Sequence, residues 1–370
     1  MALTYFTHPA KVEHIAELAG FSLEPVETGL RTLANRSLVV PDLEERHFAL
    51  VPMVADFLRR KRPEIVAETG NRLEERAYAL IVKNGYSKNA PFTVLEANWP
   101  TVARALPLFL AGPNERLQTV CDALDSFLNF TGRWDEQLSL VQQAEAKAVA
   151  AGDHHNAGWR AARAGYVYRR RKEADAVLLC ADRTQAHWQT AKASARERAF
   201  AIQLRGVGHQ LKADYPAAIA NYRESLDLLR ALSTESQDVA GALNDLAGAE
   251  QLSGDLAAAE RDYRESLRIA RAVGYFEGVA YITGNLAALA LDRENWPGAE
   301  ILAREALYLA EGVGRQELIA GVWVGLAKAL VRQGKAAEAL PFARRAVEIY
   351  TRLGSPNREA ARATLRECES

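Results

Sequence analysis

The sequence predicts a mainly α-helical protein whose larger part is an array of repeated helix pairs. Alanine and leucine dominate the 370 residues and β-branched residues are sparse, a composition that favours helices over strands. One alanine also returns between Phe200 and Leu353 at steps of 41, 40 and 40 residues, at Ala218, Ala259, Ala299 and Ala339. A fixed period of about 20 to 50 residues is typical of solenoids, in which each unit buries its apolar face against the next.

The same frame of residues surrounds each of these alanines. A turn residue comes five positions earlier, and small residues come twelve positions earlier and seven positions later. Small side chains allow two antiparallel helices to approach closely, so each unit is predicted to be a helix–turn–helix pair. The turn residues are Ala213, Gly254, Glu294 and Gly334; the small residues are Gly206, Ala247, Ala287, Ala327, Ser225, Ser266, Ala306 and Ala346.

This frame resembles the tetratricopeptide repeat (TPR), in the long form with a period near forty that kinesin light chains and some bacterial regulators carry. The segment Ala242–Ala270 shows most of the pattern by itself. Four units match well, and two weaker units precede them, the first with Gly132 as its turn residue. The resemblance implies a right-handed α-α superhelix of about six TPR-like helix pairs over residues 113–354, with a capping helix over 355–370.

Residues 1–66 follow a different pattern. A helix in HPAKVEHIAELAG is expected to end at Gly20, and Ser22 is a candidate N-cap for the next helix. LVVP, the acidic turn DLEE and RHFALV predict a two-stranded hairpin, and a closing helix stops before Pro63. Helix, helix, β-wing, helix is the order of a winged-helix domain. Residues 67–112 are predicted to form a helical hairpin linker, with Pro100 at a helix start.

The charge of this N-terminal segment argues against DNA binding. Residues 8–56 contain four basic and eight acidic side chains. Phosphate contacts supply most non-specific DNA affinity, so an acidic domain is poorly suited to bind DNA. The whole chain is balanced, with 46 Lys and Arg against 47 Asp and Glu. A winged-helix transcription regulator with a TPR sensor array therefore stays open only as an alternative.

A winged helix, the segment EANWPTVARAL and TPR-like units together resemble the C-terminal half of the bacterial STAND signalling ATPases, which are NB-ARC relatives. The phrases that carry the resemblance are LANRSLVVPD and FALVPMVADFLRRKRPE in the winged helix, and RERAFAIQLRGVGHQL and GVAYITGNLAALALDRENWPGAE in the array. The resemblance implies a sensor that passes its state through the winged helix to a nucleotide-binding domain.

No stretch of this chain reads GxxxxGK[ST], the loop that cradles nucleotide phosphates. If the resemblance holds, the ATPase domain lies upstream and Met1 is not the native start. A stand-alone TPR scaffold is the other alternative.

Catalytic and cofactor chemistry is not expected in this chain. Neither GxSxG nor HExxH occurs, so no enzyme activity and no cofactor are predicted. His154 and His155 are adjacent, but no third metal ligand is near in sequence. Cys121, Cys180 and Cys368 are odd in number and scattered, which indicates reduced thiols. With no signal peptide pattern and no apolar run long enough to span a membrane, a cytoplasmic location without membrane contact is predicted.

The fold offers a concave groove lined by the first helix of each pair, which is the predicted site for a protein, peptide or small ligand. Carboxamides suit this surface because they both donate to and accept from an extended peptide backbone. Asn244 and Asn285 match positions where peptide-binding TPR families commonly carry an asparagine. The alternative is that they solvate an empty groove or bond between neighbouring helices. The candidate groove residues are Tyr168, Arg169, Gln203, Gln210, Asn244, Asp245, Gln251, Tyr281, Asn285, Lys328 and Arg332.

Overall fold

The computed structural model describes residues 2–5, 9–42, 44, 46–86 and 92–369, and the chain forms two compact units that divide after Phe127. Several residues that enter the sequence-based predictions lie outside the described ranges. They are Met1; His8, which is the first residue of the predicted HPAKVEHIAELAG helix; and Leu43 and Glu45 of the predicted DLEE turn.

The first unit begins with a short 3-10 helix and a small mixed layer of strands and helices. The predicted hairpin is confirmed: its two strands pair antiparallel, with Val39 opposite Leu50 and Asp42 opposite His47. A two-residue strand that the sequence did not predict adds to the other edge of the sheet, because so short a segment carries no periodic signal. The elements are the 3-10 helix Ala2–Tyr5, β1 (Ala10–Lys11), α1 (Val12–Ala19), α2 (Leu23–Asn35), β2 (Val39–Asp42), β3 (His47–Leu50) and α3 (Pro52–Lys61).

Local chemistry sets the ends of these helices. Gly20 adopts φ 74° and donates its N–H to the carbonyls of Ala16 and Glu17, so it ends α1 as predicted. Ser22 occupies the N-cap position of α2, but its side chain accepts no capping hydrogen bond. The small core beneath the sheet is made of apolar residues that are 0–4% exposed, namely Val12, Ile15, Leu18, Leu30 and Phe48.

Two long helices, α4 (Pro63–Gly85) and α5 (Phe92–Ala111), pack against each other. The placement of Pro100 at a helix start was wrong, because α5 continues through both Pro100 and Pro107. The apolar face of α5, with Val102 and Phe109 at 0% and 1% exposure, spans both prolines. Burial of that face therefore outweighs the lost backbone bonds. The next helix, α6 (Asn114–Thr131), crosses the division between the units.

The second unit consists of helices that follow one another through short turns, and each contacts the next. Alternate helices from α8 to α18 also contact one another in succession, so they form one continuous wall, called here the inner wall. The mainly α fold with a TPR-like array is thereby confirmed. The helices are α7 (Trp134–Ala150), α8 (His154–Arg171), α9 (Ala174–Thr190), α10 (Ala195–Leu211), α11 (Tyr215–Leu232), α12 (Gln237–Ser253), α13 (Leu256–Ala272), α14 (Phe276–Asp292), α15 (Trp296–Val313), α16 (Gln316–Val331), α17 (Ala336–Arg352) and α18 (Arg358–Glu369).

The predicted turn residues are the points where each pair reverses direction. Ala213, Gly254, Glu294 and Gly334 all adopt the left-handed conformation, with φ 60°, 94°, 58° and 74°. In three of the four turns the next residue, Asp or Asn, accepts a side-chain hydrogen bond from the N–H three positions later and so caps the following helix. A left-handed residue followed by a capping residue therefore ends one helix and starts the next.

The predicted small positions are sites of close contact within the array. A Cβ on Gly206 would lie 2.8 Å from the Tyr222 ring, inside van der Waals contact. Ser225 donates its hydroxyl to the Ala199 carbonyl at 2.9 Å, and one repeat later Ser266 donates to the Ala240 carbonyl at 2.6 Å. The serines thus fill the small position and also satisfy their own buried hydroxyls.

A buried carboxyl between α12 and α13 makes the stability of the array depend on pH. Glu250 is 1% exposed; one oxygen accepts from Arg223 Nη2 at 3.0 Å, and the other has no hydrogen-bond partner among the described residues. Burial, and then the nearby Asp262 carboxylate, raise the pKa of Glu250 above its ordinary value.

We expect Glu250→Gln to flatten the pH profile of unfolding. Because the folded-state pKa is raised, the native protein binds more protons than the unfolded chain between the ordinary carboxyl pKa and the folded value. The stability that Glu250 contributes is therefore complete below that window and is lost as the pH rises through it. Urea unfolding of wild type and variant at a series of pH values from acidic to neutral checks this; parallel profiles would contradict it.

Candidate functional site

Side-chain amides on the inner wall form hydrogen bonds from one repeat to the next. Gln203 Nε2 donates to Asp245 Oδ2 at 2.7 Å, and Asn285 Nδ2 donates to Asn244 Oδ1 at 2.8 Å. At the end of the same wall, Gln251 Nε2 donates to an oxygen of the Asp292 carboxylate at 2.6 Å. Bonding between neighbouring helices, the alternative that the sequence left open, is therefore what these amides do in this structure.

Each amide nevertheless keeps part of its hydrogen-bonding capacity. Within the described residues, Asn285 Oδ1 accepts no hydrogen bond, because its amide group is engaged only through Nδ2. Gln203 is 6% exposed, and its Oε1 is a buried acceptor without a partner in the part of the chain that the structure describes. A buried acceptor without a bond is rare in proteins. Because Gln203 Oε1 is shielded from solvent, a ligand reaches it only if the wall rearranges.

Tyrosines of the second helices hold two of the inner-wall glutamines in place. Tyr222 donates its hydroxyl to Gln210 Oε1 at 2.8 Å, and Tyr263 donates to Gln251 Oε1 at 3.0 Å. Burial, and then the charge of Asp245, raise the pKa of Tyr222 well above its ordinary value, so it stays a neutral donor. The recurrence of a tyrosine four residues after the alanine was the available sequence signal, but these tyrosines were not predicted.

Arginines of α8 reach across the inner wall to acids two and four repeats away. Arg169 Nη2 lies 3.4 Å from Asp245 Oδ1, and that carboxylate raises the pKa of Arg169. Its neighbour Arg170 places Nε 3.6 Å from Glu317 Oε2. Burial and the nearby Arg315 guanidinium lower the pKa of Arg170. The predicted residues Arg169, Asp245 and Gln203 are thus brought together at one centre.

Arg315, which was not predicted from the sequence, joins a second charged centre. Its Nη1 lies 2.5 Å from Glu277 Oε1 and its Nη2 lies 3.8 Å from Glu317 Oε2. The guanidinium also lies over the ring of the predicted residue Tyr281, 5.1 Å from the ring centroid. Arg170, Arg315, Glu277 and Glu317 were missed because a repeat pattern indicates neighbouring contacts and not contacts across the array.

The two ends of the second unit contact each other. A side chain on Gly132 would overlap Leu353, and Arg315 lies 5.5 Å from the centroid of the Phe130 ring. Together with the Arg170–Glu317 pair, these contacts join the first helix pairs to the sixth. The inner wall is therefore enclosed by its own ends in this structure.

A pocket of about 250 Å³ opens in this wall where α14 and α16 meet. The predicted residues Tyr281 and Asn285 line it, beside Glu317 and Tyr350. Its remaining lining is small or apolar: Gly284, Ala287, Ala288, Ala303, Leu318, Gly321, Val322, Gly325, with Asn357 at the edge.

The other predicted residues lie away from these centres. Tyr168 accepts a hydrogen bond from Gln142 Nε2 at 3.0 Å. Lys328 is exposed on α16, and Arg332 Nη2 lies 3.5 Å from Glu367 Oε2 of the last helix. The structure therefore places Lys328 and Arg332 at the C-terminal end of the array, where they face solvent and α18.

The adjacent histidines point to different partners. His154 Nδ1 lies 3.4 Å from His187 Nδ1, and His155 Nε2 lies 3.2 Å from Glu197 Oε1. Over the described ranges, no group of three or more His, Cys, Asp or Glu side chains is arranged to hold a metal ion. None of the helices in those ranges combines the length and the apolar character that crossing a membrane requires.

Comparison with known proteins bears on the array and on the fold. No curated protein matches this sequence. A solved structure of a Rap protein complexed with Competence and Sporulation Factor is similar, with a TM-score of 0.56 and 12% identity over 86% of this chain and 90% of that chain.

Two further structures are similar at lower TM-scores. A Signal Transduction ATPase with Numerous Domains (STAND) protein with a tetratricopeptide repeat sensor, from Pyrococcus horikoshii, gives 0.49 with 12% identity; the match covers 99% of this chain and 58% of that protein. BtubC from P. vanneervenii gives 0.47 with 16% identity over 60% of this chain and 92% of that chain. Residues 239–273 and 278–352 match the profiles of the tetratricopeptide repeat family, so this part of the chain consists of tetratricopeptide repeats.

Proposed function

We propose that the inner wall binds an extended peptide segment of a partner protein, and that the chain is the sensor and regulatory part of a STAND-type switch. The observation that carries this proposal is the set of interlocked amides, Asn244 with Asn285 and Gln203 with Asp245, at the centre of an enclosed wall. The Rap protein of similar fold was crystallised with Competence and Sporulation Factor, which supports a ligand on this type of array.

The inter-repeat bonds prepare the wall for a peptide backbone. Each amide is already fixed by its neighbour, so binding does not have to order a free side chain, a cost of about 0.5–1.5 kcal/mol each. Asn285 Oδ1 is the acceptor left over on the accessible surface. A backbone N–H group of an extended segment would satisfy it.

The contact between the two ends of the array provides the two states that a switch needs. A peptide that enters the inner wall must break the Arg170–Glu317 contact between the second and sixth helix pairs, or it must lie enclosed behind that contact. A ligand shifts an equilibrium only if it binds one state better than the other. Contact between the ends is the feature that differs between an open and a closed array.

The double variant Asn244→Ala with Asn285→Ala tests the proposed site. The two residues bond each other, so removing both leaves no orphaned partner and the fold should keep its melting temperature. We expect the cytosolic partner captured by the wild-type chain to bind the variant about fivefold or more weakly, because the hydrogen bond that Asn285 Oδ1 accepts from the ligand is lost. Overlapping peptides of the captured protein then locate the bound segment.

A matched control uses another inter-repeat pair of the same two repeats. Arg271 Nη2 and Glu305 Oε1 lie 3.0 Å apart on α13 and α15, outside the inner wall. Arg271→Ala with Glu305→Ala should keep the partner. If this control loses the partner, or if the asparagine variant retains it with unchanged affinity, the inner wall is not the binding surface.

For the first unit we propose a winged helix that contacts protein and not DNA. Two of its basic side chains are already engaged: Arg46 lies 3.3 Å from Glu13 and 2.9 Å from Glu27, and Arg31 lies 3.1 Å from Glu27. Met53 is 81% exposed. Exposed large apolar residues favour a protein surface over phosphates, and the proposed partner is the nucleotide-binding domain of the same polypeptide.

Two observations test this part of the proposal. We expect the reading frame to continue upstream of the Met1 codon and to encode GxxxxGK[ST], and we expect no salt-dependent shift of duplex DNA by this chain. An in-frame stop codon directly upstream would remove the switch and favour a stand-alone scaffold. A DNA shift that weakens with salt would favour the transcription regulator.

A further inference from the structure

The pocket between α14 and α16 exists because glycine replaces larger side chains at inner-wall positions. Gly325 stands forty residues after Asn285 and eighty after Asp245, and Gly284 stands forty after Asn244. All of these positions fall in the same helix of successive repeats. Where the earlier repeats project a polar side chain into the interior, these two project none, and the space remains open.

The size of the pocket suits one side chain. Its volume of about 250 Å³ corresponds to about eight water molecules at about 30 Å³ each. This is less than the 300–1,000 Å³ or so of sites for drug-sized ligands. The opening belongs to the same wall that is proposed to hold the peptide backbone, so the occupant would be a side chain of that peptide.

Two polar side chains of the pocket, Glu317 and Asn285, have acceptor oxygens without a hydrogen bond among the described residues. Glu317 lines it, and among the described residues this carboxylate accepts no hydrogen bond. Its two arginine contacts, at 3.6 Å to Arg170 and 3.8 Å to Arg315, are longer than hydrogen bonds. Glu277, at 2.5 Å, is the nearer partner of Arg315. Asn285 Oδ1 is a further open acceptor in the lining.

The rest of the lining suits an apolar stem that carries a cation. Leu318 and Val322 supply apolar surface, and the rings of Tyr281 and Tyr350 lie on the same pocket. Lysine packs its methylene chain on apolar surface while its charge reaches a polar group. A carboxylate and an amide oxygen beside an apolar lining form an environment for an ammonium group on an apolar stem.

We propose that this pocket binds the side chain of a lysine in the bound peptide, with its ammonium group on Glu317 and Asn285 and its stem against Leu318 and Val322. The proposal rests on the proposed function of the inner wall and adds the residue type that the wall selects. An amino-terminal ammonium shares this chemistry but lacks the apolar stem, so the two sources can be told apart.

A capped amino acid tests the pocket without any knowledge of the natural ligand. Nα-acetyl-lysine methylamide is titrated into the full chain, and the methyl NMR signals of Leu318 and Val322 report occupancy. We expect saturable shifts with the lysine probe, about tenfold weaker binding of the uncharged norleucine analogue, and weak binding of alaninamide, which has only a free α-amine. Equal or tighter binding of the norleucine or alaninamide probe overturns the proposal.

Two variants separate pocket binding from folding. Glu317→Gln removes the negative charge and should weaken the lysine probe by about tenfold or more. Gly325→Leu should fill the pocket and abolish binding. An added Cβ at Gly325 meets no atom within 4 Å, and leucine is the better helix former, so the variant should stay folded. Unchanged lysine binding in Gly325→Leu overturns the proposal.

Gly312→Leu on α15 is the matched control. A Cβ at Gly312 also meets nothing within 4 Å, and the residue is exposed outside the pocket. This control should bind the lysine probe as the wild type does. The two experiments distinguish the two failures. Absence of saturable shifts at millimolar probe overturns the lysine pocket and leaves the peptide wall standing, whereas a retained partner in the asparagine variant overturns the peptide wall and with it the peptide as the source of the lysine.

Discussion

Replacing Trp188 by alanine is expected to lower the free energy of unfolding by about 3–5 kcal/mol. The side chain is 1% exposed, and its ring meets Trp159 edge-to-face with centroids 5.1 Å apart. Its indole N–H donates to the His155 carbonyl at 3.1 Å, and the substitution would leave this carbonyl without that partner. A side chain on Gly158 would overlap the indole, so the neighbouring helix is fitted against this ring.

Urea unfolding followed by circular dichroism measures this loss. Phe276→Ala is the control, because Phe276 is 76% exposed and its removal should change the free energy by about 0.5 kcal/mol or less. Equal midpoints for the wild type and the Trp188 variant would show that the contact between α8 and α9 does not hold the array.

Replacing Gly85 by alanine is expected to destabilise the first unit by about 1–3 kcal/mol or more. An ideal Cβ would lie 2.7 Å from the carbonyl carbon of Ala123 and nearer still to its oxygen. The obstacle is backbone, which cannot rotate away as a side chain can, so α4 and α6 would have to move apart. An alanine in a helix is otherwise favoured over glycine by about 0.5–1 kcal/mol, so a loss of stability would come from the clash.

Gly29→Ala on α2 is the matched control for this prediction. A Cβ there meets nothing within 4 Å, so the same substitution should raise stability slightly. Thermal unfolding of the two variants should shift in opposite directions. Stabilisation by both would mean that α4 and α6 do not approach at Gly85 as described.

The array could be predicted from sequence because its turns are local. The positive φ angles at Ala213, Gly254, Glu294 and Gly334 follow from the short reversal at the end of each first helix. Pro100 shows where local rules fail: proline disfavours a helix interior, but the buried face of α5 continues through it. Packing between elements outweighed the local preference there.

For the candidate site, the sequence indicated which residues lie on the inner wall but not which groups they bond to. The sequence placed Asn244, Asn285 and Asp245 on the inner wall, but an amide or carboxylate serves a ligand and a neighbouring helix equally well. Glu317 and Arg170 were not predicted because they meet only when the sixth helix pair contacts the second. A period of forty residues encodes how one unit meets the next, and it carries no signal for contacts across the array.

Hydrogen–deuterium exchange of the chain with its captured partner tests the central claim most directly. If the inner wall binds the partner, protection should rise in α10, α12, α14 and α16, with the largest changes around Asn244, Asn285 and Glu317, while the outer helices α11, α13 and α15 stay unchanged. Protection confined to the outer helices or to residues 9–61 would contradict the claim, because the partner would then bind a surface other than the inner wall.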